Sequence, residues 1–268
     1  MGKEYSVSSF DGTKLHGVID TAERAKAVIV IVHGLCEHLG RYEYLAGKLL
    51  RDGYTIYRFD HRGHGKSEGK ETFYGDFNEI VDDVNVIMEK AKAENPGKKV
   101  FLIGHSMGGY AVALYGTKYP GKASGIVCSG ALTRYNHKLL GELPIKESAD
   151  SYVPNSLGDG VCSDPAVIKA YVNDPLVSKR ISIGLMNSIY YGVEYLKANA
   201  KSFVDPVLVM HGCNDGLVAE RDSREFFGEI GSKDKGLIIF PFLMHEIFNE
   251  KIKDEVIGEA LAWLDKRA

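Results

Sequence analysis

Ser106 is the residue of this sequence whose surroundings say most about chemistry, in the stretch Ile103-Gly104-His105-Ser106-Met107-Gly108-Gly109. Gly104-x-Ser106-x-Gly108 is the pattern of a serine set in a sharp strand-to-helix turn. The residues two before and two after must lack bulk there, and the hydroxyl stands clear of the sheet edge. The helix that follows aims its first amides and the positive end of its dipole at the place where an oxyanion would form. The pentapeptide alone often arises by chance; an apolar strand before it and a helix after it argue against chance here.

A serine hydroxyl is a weak nucleophile at neutral pH and needs a positioned base, and chains that present serine in this turn supply an acid and then a base downstream. Three histidines lie beyond Ser106: His137, His211 and His245. His245, in Pro241-Phe242-Leu243-Met244-His245-Glu246, follows the last strand and is the expected base. His211 reads as a structural residue before Gly212, and His137 as a solvated one. Asp215 directly follows the strand Val207–Met210 and is the expected acid, fixing the histidine tautomer and stabilising the imidazolium. A turn aspartate is its alternative role. Asp205 lies before that strand and Asp222 inside a helix, so both are less well placed. The backbone amides of Met107 and of Leu35, in His33-Gly34-Leu35-Cys36, are the expected oxyanion donors. His33 precedes the serine in an order this arrangement does not use, and reads as a loop-ordering residue.

Two glycine-rich patterns compete and lose. Gly65-Lys66-Ser67 resembles the end of a phosphate-binding loop, but Asp60 stands where that loop needs glycine, and no long helix follows. Gly63-His64-Gly65-Lys66-Ser67-Glu68 lacks the third glycine of a dinucleotide fingerprint. A turn bracing the loop near Ser106 explains both.

The elements that must position these residues follow a βαβ rhythm. Strands are expected at Ala27–Val32, Tyr54–Phe59, Lys99–Gly104, Ser124–Ser129, Val207–Met210 and Leu237–Phe240. Helices are expected at Tyr42–Arg51, Ser106–Tyr119, Arg221–Ile230 and Lys251–Arg267. Another helix begins at a capping box of Asp76 and Glu79 and ends at Asn95-Pro96-Gly97. Glu4–Ser9 and Lys14–Ile19 around Asp11-Gly12 read as antiparallel edge strands. The fold class is therefore α/β with a mostly parallel central sheet flanked by helices. From Thr133 to Ser202 the rhythm breaks for longer than an ordinary loop allows. That makes 133–202 an insertion in a core formed by 1–132 and 203–268. Asp164-Pro165 and Asp174-Pro175 each place a cap residue before a proline, and the apolar stripe Ile181 to Leu196 has helical spacing, so the insertion is expected to be helical.

The whole chain agrees with such a domain. Its 268 residues are 44% hydrophobic and 26% charged, enough for a sizeable core. The net charge of −3 comes without a lysine and arginine run, which argues against nucleic-acid partners. No signal-like segment or bilayer-length apolar run is visible, so a soluble, cytoplasmic protein is expected. Cys36, Cys128, Cys162 and Cys213 show no metal-ligand spacing and are expected as reduced thiols, with no zinc site.

Taken together, His33-Gly-Leu-Cys-Glu37-His38-Leu-Gly-Arg41-Tyr42, Asp60-His-Arg-Gly-His-Gly-Lys-Ser67-Glu-Gly, Gly-His-Ser106-Met-Gly-Gly, Asp164-Pro, Asp174-Pro-Leu176 and His245-Glu-Ile-Phe-Asn249-Glu250 resemble the monoacylglycerol lipase and lysophospholipase family of α/β-hydrolases. The resemblance implies an α/β-hydrolase fold with a helical cap over an apolar acyl tunnel. It implies carboxylic ester hydrolysis through Ser106, Asp215 and His245, with no metal or cofactor, on a small lipid ester. It also implies that Glu37 and Arg41 bind the glycerol hydroxyls; an ion pair bracing the loop is the alternative. Leu35-Cys36 is bulkier than the family's usual residues there, implying a narrower oxyanion loop. The cap would make at most weak membrane-surface contact, because no charged amphipathic face accompanies its stripe. A short-chain or aromatic-acid carboxylesterase, and more remotely a non-catalytic ligand-binding protein of this fold, are the rival readings.

Overall fold

Short β-branched runs build the sheet of this protein, whose computed structural model describes residues 2–268. The strands are Lys3–Ser8 (β1), Lys14–Asp20 (β2), Ala27–Val32 (β3), Tyr54–Phe59 (β4), Val100–His105 (β5), Gly125–Ser129 (β6), Tyr152–Pro154 (β7), Arg180–Ser182 (β8), Val207–Gly212 (β9) and Lys235–Phe240 (β10). Eight form one sheet in the order β1-β2-β4-β3-β5-β6-β9-β10. The six from β4 to β10 are parallel, and the β1–β2 hairpin adds the antiparallel edge.

The helices are Glu43–Arg51 (α1), Phe77–Glu94 (α2), Met107–Lys118 (α3), Pro165–Asn173 (α4), Ile183–Ala198 (α5), Glu220–Glu229 (α6) and Lys253–Asp265 (α7). They cover both faces, and β3 shows the consequence for sequence. Val28, Val30 and Val32 pack with Val84 and Ile87 of α2 and Val112 of α3. Ala27, Ile29 and Ile31 pack with Leu45 and Leu49 of α1 and Val256 and Leu264 of α7. A strand buried on both faces has no polar side to alternate with, hence its unbroken apolar run.

Three local expectations need correction. Asp76 caps α2 through Asn78 N at 2.7 Å, but Glu79 reaches back to Gly75 N at 3.0 Å, so the reciprocal bond falls one residue before the cap. Asp164-Pro165 begins α4, with Asp164 accepting from Ala166 N. Asp174-Pro175 instead ends that helix: Asp174 is its C-terminal cap, bonded through Oδ1 to Leu176 N and through Oδ2 to His38 Nε2, both at 2.8 Å. Proline cannot continue a helix already running, so the same dipeptide that starts one helix stops another. Finally, the segment between β6 and β9 is not purely helical, because β7 and β8 pair antiparallel with Tyr152 opposite Ser182. Its apolar stripe seats α5 on the core beside α2 and α3. Among the described residues, no helix is long and apolar enough to cross a membrane.

Candidate active site

β5 ends at His105 and α3 begins at Met107, leaving Ser106 in the turn with φ 55° and ψ −118°. Such a backbone costs a non-glycine residue on the order of 1–3 kcal/mol and persists only where neighbours hold it. Ser106 N donates to Ser129 O at 2.8 Å, and Ser106 O accepts from Tyr110 N at 2.9 Å. The flanking glycines are required by close approach. A Cβ on Gly104 would lie 2.3 Å from Gly108 O, and one on Gly108 would lie 2.1 Å from Val32 O.

Parallel pairing of β9 with β10 sets the loops after them side by side, which brings Asp215 to His245 although 30 residues separate them. Asp215 Oδ2 is 2.7 Å from His245 Nδ1, and Oδ1 accepts from Leu217 N at 2.8 Å and Val218 N at 2.9 Å. Burial pushes the Asp215 carboxyl up, but the charge and hydrogen bond of His245 and the adjacent His211 imidazole outweigh it and hold it well below the carboxylate range. Burial likewise disfavours a charged His245, yet Asp215 above all, then Glu246 and Glu37, raises its pKa above 6.5. With Nδ1 committed to Asp215, Nε2 is the nitrogen left for a hydroxyl proton, and His245 and Ser106 line one cavity. The sequence reading gave His211 a structural role only, yet its Nε2 is 2.9 Å from Asp215 Oδ2.

Leu35 and Met107 line the same cavity, and their N–H groups donate to no other group among the described residues. His33 behaves as a loop-ordering residue: its Nδ1 is 2.8 Å from Gly34 O and its Nε2 accepts from His61 N at 2.9 Å. Burial holds its pKa below 6.5. The glycine-rich turn braces this loop through Asp60, which accepts from Leu39 N on one oxygen and Lys66 N on the other. Asp205 and Asp222 hold backbone amides elsewhere, at Gly121 and Ala123 and at Arg134, Tyr135 and Asn136.

Glu37 and Arg41 form the ion pair given above as the alternative, Oε1 to Nε at 2.6 Å. Glu37 Oε2 also accepts from Gly34 N and Tyr42 OH, at 2.9 and 2.7 Å. Glu37 reaches the cavity, while Arg41 turns its Nη2 to Glu246 at 2.7 Å. One cation thus serves two buried carboxylates. Burial works against both, but Arg41 holds Glu37 below the usual range, while burial and the charge of Glu37 leave Glu246 raised.

Sequence reasoning missed Glu246 and Glu250. Glu250 Oε1 accepts from both Met244 N, at 3.1 Å, and Ser163 N, at 2.9 Å, tying the His245 loop to the segment between β6 and β9. Both glutamates stand in His245-Glu-Ile-Phe-Asn-Glu250, so the signal was present as a pattern without an assigned role.

The rest of the cavity wall is apolar. Leu132, Leu139, Leu140, Leu157, Val161, Tyr171 and Ile189 come from the segment between β6 and β9, with Leu217 completing it.

A sheet of this order, with a strained serine between β5 and α3 and helices on both faces, defines an α/β-hydrolase. Residues 23–252 match the family model described as "Serine aminopeptidase, S33". The chain is 32% identical to the monoacylglycerol lipase of Mycolicibacterium smegmatis, over 97% of this chain and 96% of that one. It is 30% identical to phospholipase YtpA of Bacillus subtilis, over 91% and 97% respectively. The crystal structure of Paleococcus ferrophilus monoacylglycerol lipase superposes with a TM-score of 0.84 at 30% identity, covering 95% of this chain and 99% of that one. The chain belongs to the monoacylglycerol lipase-like family of ester-hydrolysing α/β-hydrolases.

Proposed function

We propose that this enzyme hydrolyses monoacylglycerols through an acyl-enzyme on Ser106. His245 Nε2 takes the hydroxyl proton as Ser106 Oγ attacks the ester carbonyl. The amides of Leu35 and Met107 hold the oxyanion, and Asp215 stabilises the imidazolium. His245 then gives the proton to the leaving alcohol, and water repeats the sequence to free the acid. The observation that carries the substrate class is the cavity itself: a nearly all-apolar wall from residues 133–202, proposed as a cap, facing Ser106 on one side of two carboxylates.

The alcohol side favours a neutral head group. Glu37 and Glu246 line it, no lysine or arginine among the described residues does, and Arg41 is already shared between the two glutamates. A phosphate would meet net negative charge there, so the lysophospholipid reading is the weaker one. The run of leucines along the apolar wall likewise favours a long acyl chain over a short or aromatic acid.

An activity panel tests the proposal: p-nitrophenyl esters of increasing acyl length, monoacylglycerols, a lysophospholipid and amino-acid anilides, each with Ser106→Ala alongside. Burying one methylene is worth about 0.8 kcal/mol, so kcat/KM should rise by up to about fourfold per methylene until the wall is filled. Monoacylglycerol should exceed lysophospholipid, anilides should be inert, and Ser106→Ala should be inactive. Glu37→Ala should impair monoacylglycerol turnover more than p-nitrophenyl ester turnover. A flat or falling acyl profile, or preference for the anilides, would reject monoacylglycerol hydrolysis.

A further inference from the structure

The proposed reaction makes no use of His211, which is fully buried at the end of β9. Its Nε2 lies 2.9 Å from Asp215 Oδ2 and 3.1 Å from Val218 O, and its Nδ1 lies 2.7 Å from Ser223 Oγ on α6. Both neighbours of Nε2 are acceptors, so in the neutral ring Nε2 carries the proton, and the Ser223 hydroxyl donates to Nδ1. Asp215 therefore accepts from His245 on Oδ2 and from two backbone amides on Oδ1, while the His211 N–H, bonded to Val218 O, stands beside Oδ2. A carboxylate bound on both oxygens cannot rotate without breaking hydrogen bonds in a buried site, where each lost partner is costly.

We propose that His211 is a positioning residue for the hydrolysis: held by Ser223 and Val218, it packs its N–H dipole beside Asp215 Oδ2, keeps that oxygen aimed at His245 Nδ1 and tempers its pull on the His245 proton. This rests on the reading of Ser106, Asp215 and His245 as nucleophile, acid and base. The groups facing His245 are Asp215, Glu246, Glu37 and the His105 ring, 4.6 Å away between centroids. Of these only Asp215 touches His211, so a shift in the pH profile on changing His211 reports on Oδ2.

Three variants separate positioning from mere packing. His211→Phe keeps a ring and removes the donor, His211→Gln keeps a donor near the place of Nε2, and Ser223→Ala loosens the ring without touching Asp215. Hydrolysis of p-nitrophenyl butyrate is followed across pH together with melting temperature. For His211→Phe, kcat should fall about 10-fold with KM little changed, the scale on which hydrogen-bond partners behind a functional group act. The acidic limb of kcat/KM should move to higher pH, because His245 then has Oδ2 to itself. His211→Gln should restore both quantities, and Ser223→Ala should move the limb the same way by less. Lower melting temperatures with an unmoved limb, and Gln no better than Phe, would overturn the proposal. Should His211→Phe not fold, an unmoved limb in Ser223→Ala is enough to overturn it. Asp215→Ala, run alongside, keeps the two readings apart. If it is inactive while the His211 limb is unmoved, only the positioning role fails; if it hydrolyses at the wild-type rate, the catalytic assignment fails with it.

Discussion

Three hydrogen bonds and the His211 imidazole converge on Asp215, and the pH behaviour of the enzyme should follow from them. In the proposed reaction His245 must be neutral to accept the Ser106 proton, and its pKa is raised, so activity should fall on the acid side with a midpoint above 6.5. Asp215→Asn removes the negative charge responsible; kcat should drop by about 10⁴-fold, and the limb of the residual activity should move to lower pH. A rate profile with its acidic midpoint at or below that of free histidine would contradict this coupling. That Asp215 and His245 meet beside Ser106 was legible in the sequence because chain order and strand ends bring them there. His211 was not legible as a partner of Asp215, since its proximity depends on how the turn after β9 folds back, which no pattern of spacing shows. Arg41 illustrates the same limit: Glu37 lies four residues away on the local chain, but Glu246 is 205 residues distant.

At the scale of elements, the turn between β5 and α3 tolerates no side chain at its glycines, whereas a few glycines elsewhere stand in open space. Gly108→Ala would set a methyl group against Val32 O, a backbone atom that cannot swing aside. Thermal or denaturant unfolding should show a loss of about 1–3 kcal/mol or more, with activity lost as Ser106 shifts. Gly258 is exposed within α7 and a Cβ there meets nothing within 4 Å. Gly258→Ala should therefore stabilise by roughly 0.4–1 kcal/mol. Equal effects of the two substitutions would contradict the close approach at Gly108. The elements of the core were readable because strands buried on both faces and helices with one apolar face carry the two periodicities openly. The segment between β6 and β9 was less so. Its short strands are three residues each, and Asp174-Pro175 has the same local chemistry as Asp164-Pro165 with the opposite structural sense.

For the whole molecule, the sheet edge near Ser106 gathers buried imidazoles, and this sets the response to acid. His33, His61, His64 and His105 are buried and their pKa values are lowered, primarily by burial, to about 3 for His64 and His105. The folded state binds fewer protons at these sites than the unfolded chain, so their contribution is complete above about pH 6.5 and is lost as pH falls toward the folded values. The lowered Asp215 and Glu37 act in the same sense at lower pH, losing their contribution as pH falls through their folded values. His245 and Glu246, both raised, act in the opposite sense and are outnumbered. Calorimetry should show the melting temperature falling by several degrees between about pH 7.5 and about pH 4.5. A melting temperature that is flat or rises over that interval would contradict it. Composition and charge bounded the class of molecule but not this clustering, because the histidines stand at the ends of three strands, β3, β4 and β5, that only the sheet brings together.

The most direct measurement is covalent labelling of the folded enzyme with a fluorophosphonate, followed by peptide mapping. Ser106, strained between β5 and α3 and sharing a cavity with His245, should be the modified residue, and labelling should be lost in Ser106→Ala and strongly slowed in His245→Ala. An unlabelled wild type, or an adduct mapped to any other residue with esterase activity retained in Ser106→Ala, would contradict a nucleophilic Ser106.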